Sequence, residues 1–366
     1  MENKKRIKTL DLFRFISITL VVFFHYLSRW TPPFHTESYY PYGSRFNELE
    51  IIKNGGVGVL FFFMISGFVI LFTLERTSSI RLFFTNRLIR LWPTMALCSI
   101  IIFLTVRILD PLNLFKAFEV GYRNFLPSLT FTSPMFWNTQ FMDSSFWSIE
   151  IEVKFYILSA LVYYLSGKHF GAIWTSFTLL VLGMNAILNL SYLEYFLFPK
   201  FLPFFSAGIL FYIIFKKQNF LWVWAALILM VFFCMLTRES TVDKLLISIF
   251  YLLFLVFIFK EQWLSWANHQ IILAVGLASY PFYLLHQHIG VILINHLSYL
   301  LPLNGNWTIA YPIMIYLLLF LFSYIIYITF EGPVHRKLRV YFASKQIKSD
   351  IPDKNGLQPV IDSDRT

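Results

Sequence analysis

About ten stretches of roughly twenty mostly apolar residues run through this chain, near 10–29, 57–75, 88–108, 146–166, 170–190, 200–215, 220–237, 242–259, 270–296 and 309–330. A helix of about 20 residues crosses the hydrocarbon layer of a bilayer. Apolarity is continuous along each stretch rather than alternating, so helices are expected and a closed sheet is not. Of the 366 residues, 57% are hydrophobic and 14% charged, more apolar surface than one or two soluble cores can hide. A cytosolic globular enzyme, a disordered chain and a secreted disulfide scaffold are thereby excluded. The expected fold class is an all-α polytopic membrane protein of about ten transmembrane helices. Residues 1–340 would form its membrane domain and 341–366 a cytoplasmic tail, disordered in the polar part after Ser349. The fifth and sixth segments are the weakest spans, interrupted by Asn185, Asn189 and Pro203.

Charge follows topology. The first eight residues carry Lys4, Lys5, Arg6 and Lys8, but no small-residue cleavage site follows and Arg14 lies within the apolar stretch. The segment therefore reads as a retained helix. Starting inside, ten spans bring both termini to the cytoplasm. Inner connections then hold Arg76, Arg81, Arg87, Arg90, Lys168, Lys216, Lys217 and Lys260, with a modest excess over the outer ones. The formal charge of +10 thus sits in short connections, and no nucleic-acid partner is expected. Cys98 and Cys234 each lie in an apolar run and read as small buried hydrophobes, with no disulfide framework or metal site. Two outer connections are long, about 30–56 and 109–145. The second holds an apolar piece, Phe125 to Phe131, broken by Pro127 and Pro134, which is re-entrant or lies on the surface. No internal repeat, Gly-rich phosphate loop or second soluble domain is read.

A charge at bilayer depth is costly unless it is paired or faces a cavity, so intramembrane ionisable residues are the functional clues. In the first segment, Arg14 and His25 are eleven residues apart. At ~100° per residue they share one face, separated by ~16 Å along the axis. Asp11, three residues before Arg14, shares it too. A snorkelling Arg and a His bonded to a neighbouring helix would explain the pair equally well. In the fourth segment Ser148, Glu152 and Tyr156 form an i, i+4, i+8 stripe, while Glu150 and Lys154 lie on the opposite face, spaced to pair. Glu152 and His25 are expected at similar depth, so that the carboxylate could orient the imidazole. Arg87 and Arg90 open the third segment. They fit either anchoring at the inner surface or contact with phosphates. Ser66-Gly67 in the second segment allows close helix approach. Ser279, Tyr280 and His286 flank Pro281, which frees a carbonyl and could line a cavity. Glu331, before a Gly332-Pro333 helix stop, could neutralise part of the arginine cluster.

Taken in order, these pieces resemble the acyltransferase 3 family of membrane O-acyltransferases over residues ~9–340. Arg14 with ten residues to His25 is similar to that family's first-helix signature, and Phe62-Phe63-x-Ile65-Ser66-Gly67-Phe68 to its second-helix motif. Arg87-x-x-Arg90-x-x-Pro93 resembles its third-helix start. Trp147-Ser148-x-x-x-Glu152-x-x-Phe155-Tyr156 resembles a further motif, as do Ser279-Tyr280-x-x-Tyr283-Leu284-x-His286 and Glu331-Gly332-Pro333. The chain departs from the pattern at Val153-Lys154, where many members have a second acidic residue, and at Gly332, where a basic residue is common.

The resemblance implies transfer of an acyl group, most simply acetyl, from cytoplasmic acetyl-CoA to a hydroxyl of a cell-envelope glycan or glycolipid such as lipopolysaccharide O-antigen. The expected setting is the bacterial inner membrane, among membrane lipids, without a metal. His25 and Glu152 are the expected catalytic residues, and Arg14, Arg87 and Arg90 the residues that hold acyl-CoA. Asp11, Ser66, Ser148, Tyr156, Tyr280, His286 and Glu331 are expected to line the cavity. Some members append an extracytoplasmic SGNH-type esterase domain implicated in delivery to the acceptor. None is read in residues 341–366, so acceptor selection is expected in the membrane part or in another protein. A glycan or lipid transporter without acyl-transfer chemistry would also fit the residues on the first helix. A membrane acyltransferase of another architecture fits the segment order less well, and a purely structural protein fits the intramembrane charges least.

Overall fold

The computed structural model of the chain describes residues 7–109, 120–188, 190–216 and 220–349, the side chains of 267–268 and 343–349 excepted. The basic residues Lys4 to Arg6, Lys116 and Lys217, together with Asn189 and the polar tail after Ser349, lie outside the described residues. Within them the chain is helical and holds no strand. Each of the ten apolar stretches is a helix: α1 Thr9–Leu27, α2 Gly58–Leu74, α3 Ile80–Leu109, α4 Trp147–Ser166, α5 Phe170–Leu188, α6 Leu202–Phe215, α7 Leu221–Leu236, α8 Thr241–Phe259, α9 Gln270–Leu300 and α10 Ala310–Ile326. An eleventh, α11, covers Gly332–Ser349. Eight stretches among the described residues are long and apolar enough to cross a membrane. One of them, Ser144–Leu188, contains both α4 and α5, and α7 is a shorter apolar helix.

One sequence expectation is corrected at the end of α10. Gly332-Pro333 does not stop the helix. The backbone widens into a π-helical turn over Tyr327–Glu331 and continues as α11. Proline lacks an N–H and is tolerated in the first turn of a helix, where no intrahelical partner is needed. The π turn shifts the hydrogen-bond register so that Pro333 falls in such a turn.

The bundle is organised around α6 and α9. Residues 202–214 of α6 are buried on every side, as expected of a helix that is apolar all round. Buried positions of α9 run from Val275 to Asn295. On the periphery, Leu165, Ile187, Leu221, Leu236 and Leu317 are exposed, a surface suited to hydrocarbon rather than water. Helices α2 and α6 run side by side in the same direction, Phe63 packing on Phe201 and Phe205, and Phe68 on Tyr212 and Phe215. They meet backbone to backbone where Gly67 faces Phe205 and Gly208 faces Met64. A Cβ on either glycine would come 2.0 Å from the opposing carbonyl oxygen. The close approach expected at Ser66-Gly67 is thus present, and small residues are what permit it.

Helices α1 and α9 are also parallel. Gly276 packs on Asp11 at one end, and Gly290 packs on Tyr26 at the other. The connection after α1 folds back over its end, where Tyr40 donates to the His25 carbonyl (2.8 Å) and Tyr42 to that of Tyr26. The apolar piece near 125–131 forms a short helix, Phe125–Thr130, set against α3 with Pro127 and Ser128 buried.

Candidate active site

Two cavities meet between the helices. One, of about 720 Å³ including its opening, is lined from α1, α2, α3, α4 and α9, by Arg14, Ser66, Arg87, Arg90, Ser148, Glu152, Tyr156, Ser279, Tyr280 and Tyr283 among others. The other, of about 1550 Å³ including its open mouth, lies toward the Thr9 end of α1. Its lining includes Arg14, Arg90, Glu331, His335, Arg336 and Arg339. Arg14 and Arg90 line both, so these two guanidinium groups form the boundary between an open basic chamber and a narrower inner one.

Local sequence explains most of these positions. Arg14 sits one turn past Asp11 and donates to it at 2.8 Å, the carboxylate being fully buried. Gly276 lets α9 press on that carboxylate, because a Cβ there would come 2.4 Å from the Asp11 side chain. Arg87 is buried, its guanidinium centred 4.9 Å from the Tyr156 ring and 5.4 Å from that of Phe83. Such cation–π contacts replace part of the lost hydration of a buried cation. The stripe on α4 faces the inner chamber as its period requires. Opposite it, Lys154 pairs with Glu150 at 2.6 Å and donates to the Tyr195 carbonyl at 2.9 Å, neutralising a second buried charge away from the cavities. Tyr280 donates to the Leu91 carbonyl on α3. Pro281 frees the carbonyl of Leu277, and Leu277 lines the open chamber.

Glu152 does not hydrogen-bond to His25. Its Oε1 accepts from Ser66 on α2 at 2.6 Å and from Tyr156 one turn along at 2.5 Å. The two hydroxyls hold the carboxylate within the inner chamber, beside Arg87. His25 instead packs edge-on against His286 of α9, ring centres 5.0 Å apart at 86°. His25 is partly buried and His286 fully so. The Nδ1 of His286 is tied to the Tyr283 carbonyl at 2.6 Å. The Tyr283 hydroxyl in turn meets Ser148 at 2.7 Å and donates to the Ser145 carbonyl at 3.1 Å. Tyr283 thus joins the inner chamber, which it lines, to the imidazole pair beyond it. Neither His25 nor His286 lines either cavity.

Sequence reading missed Asp143. This residue is fully buried. Its Oδ1 accepts from the Ser145 backbone N–H at 2.8 Å and its Oδ2 from that of His288 at 3.0 Å, and Oδ2 lies 3.7 Å from His288 Nδ1. One carboxylate therefore fastens the segment entering α4 to α9 at the level of the imidazoles. The only local signal was an Asp two residues before Ser145, an ordinary helix-capping arrangement. Its partner lies 145 residues away. Glu331 shares a chamber with Arg14 and Arg90. Among the described residues no group of three or more His, Cys, Asp or Glu side chains is placed to hold a metal.

Apolar helices enclosing a buried, ionisable cleft define a multi-pass membrane protein with an intramembrane polar site. The chain belongs to the acyltransferase 3 family, whose sequence model, described as an acyltransferase domain, matches residues 7–328. It is also similar to ORF330 of Acidianus two-tailed virus, provisionally named an acetyltransferase, with 28% identity over 180 residues. That match covers 48% of this chain, and the chain spans about half, 52%, of that relative. No solved structure matches the chain significantly.

Proposed function

We propose that this protein is an integral-membrane O-acyltransferase of the bacterial inner membrane, with ten spans and both termini in the cytoplasm. It would move an acetyl group from cytoplasmic acetyl-CoA to a hydroxyl of a cell-envelope glycan or glycolipid such as O-antigen. The observation that carries this reading is the pair of chambers sharing Arg14 and Arg90. An open basic mouth suits the anionic donor, because guanidinium groups bind phosphate in bidentate fashion. The narrower chamber beyond suits the uncharged thioester arm, which could cross part of the ~16 Å between Arg14 and His25, and Tyr283 links the chamber lining to the imidazole pair.

In this mechanism His25 is the general base. Its imidazole takes the proton of the acceptor hydroxyl as the oxygen attacks the thioester carbonyl. The C–O bond forms, the C–S bond breaks, and the thiol leaves with the proton returned from the imidazolium. His286, fixed through Nδ1, keeps the His25 ring in one orientation. Glu152, held by Ser66 and Tyr156, supplies negative charge beside Arg87 and keeps the hydroxyl-lined wall in place.

The test is mass analysis of surface glycans from cells with and without the gene, together with transfer from labelled acetyl-CoA in membranes. One ester-linked acetyl group present only with the gene is expected. A transporter would bind or move the glycan and leave no ester, and that result would overturn the reading.

A further inference from the structure

The open chamber has a lining that the resemblance does not account for. α11 turns Arg336 and Arg339, one helical turn apart, and His335 toward the same space as Arg14 and Arg90. Glu331 is the acidic residue in this lining, against four arginines. The π turn at Tyr327–Glu331 is what carries α11 past the chamber, so the position of these cations follows from the irregular backbone. Arg87, by contrast, is buried between aromatic rings in the inner chamber and lies outside the open chamber's lining. The cations therefore divide into two sets. Arg336 and Arg339 are exposed and face an open space, Arg87 is enclosed, and Arg14 with Arg90 stands between them.

We propose that Arg336 and Arg339 of α11 are the outer phosphate contacts of the open chamber, reached by the phosphorylated nucleotide end of the donor. These two residues would set the preference for a nucleotide-bearing thioester over one that lacks phosphates. The assignment rests on the acyltransferase reading for the identity of the donor. The chemistry of the chamber, several guanidinium groups converging on one open space, demands only a polyphosphate of matching size. A bilayer headgroup could present phosphate to the same cations, so the experiment separates the two sources.

The full chain in nanodiscs is titrated with adenosine 3′,5′-diphosphate, as wild type and as R336A/R339A. Both substituted side chains are exposed, and a size-exclusion profile and thermal melt confirm that the variant folds. Binding should weaken at least tenfold in the variant and fall steeply with salt in the wild type. In transfer assays the variant should raise the KM for acetyl-CoA and lose the wild-type preference for acetyl-CoA over S-acetylpantetheine. R336K/R339K should recover part of the binding. Equal binding by wild type and variant, or none by either, overturns the proposal. So does displacement by glycerol phosphate or by phosphatidylglycerol vesicles in place of the nucleotide, which would reassign the chamber to a lipid headgroup. Nucleotide binding that depends on these arginines in a chain that transfers no acetyl group would leave this site standing and sink the transferase reading. Acetyl transfer that is indifferent to the substitution would do the reverse.

Discussion

The imidazole of His25 stands edge-on to that of His286, their ring centres 5.0 Å apart, on two helices 261 residues apart in sequence. The contact depends on the parallel packing of α1 and α9, fixed by Gly276 against Asp11 at one end and Gly290 against Tyr26 at the other. An imidazole pair with one ring tied to backbone through Nδ1 presents a single defined edge to its neighbour.

Replacing His25 by Ala is expected to lower acetyl transfer by roughly 10²–10⁴-fold, the usual contribution of a general base. Protein level should be unchanged, because Tyr40 binds the backbone carbonyl of His25 and not its side chain. Immunoblotting of membranes alongside transfer from labelled acetyl-CoA checks both halves. Normal glycan acetylation in this variant would defeat the mechanism.

Glu152→Gln leaves an acceptor for the Ser66 and Tyr156 hydroxyls but removes the negative charge beside Arg87. Transfer is expected to fall at least tenfold while Tyr156→Phe, which keeps the carboxylate, loses less. Initial rates of the two variants at matched protein level decide the point, and equal rates would show that the charge is dispensable.

Asp143→Ala should destabilise the protein and impair transfer together. Two buried backbone N–H groups, of Ser145 and His288, lose their acceptor, at a cost of about 1–3 kcal/mol each. Asp143→Asn retains one carbonyl acceptor and should fall between wild type and Ala. A thermal melt in detergent ranks the three. No difference among them would show that Asp143 does not fasten the α4 entrance to α9.

Gly67→Ala should prevent the close approach of α2 and α6, since the new Cβ would come 2.0 Å from the Phe205 carbonyl oxygen. Overpacking of this kind costs about 1–3 kcal/mol or more. Expression or melting temperature is expected to drop clearly, whereas Gly183→Ala on α5, where a Cβ meets nothing within 4 Å, should be neutral. A neutral Gly67→Ala would mean that the two helices can separate without loss.

Within single helices the reading from sequence succeeded, because the 3.6-residue period fixes which side chains are neighbours. Asp11 pairs with Arg14, Glu150 with Lys154, and the Ser148, Glu152 and Tyr156 stripe faces one chamber. It failed where depth stood in for contact. Glu152 and His25 were matched by counting turns, but two nearby hydroxyls claim the carboxylate and a different helix supplies the partner of the imidazole. It failed again at Gly332-Pro333, where a local stop signal yields to a π turn.

By itself the sequence determined a multi-span helical chain with its ionisable groups buried in a few helices, because continuous apolar runs leave the backbone no other way to satisfy its hydrogen bonds in lipid. Only the tertiary structure decided that His286 meets His25, that Asp143 reaches His288, and that α11 lends Arg336 and Arg339 to the chamber bounded by Arg14 and Arg90. Which helix faces which is set by glycine contacts and by the folded connections at the helix ends. Those interactions join residues too far apart in the chain for any local period to reveal.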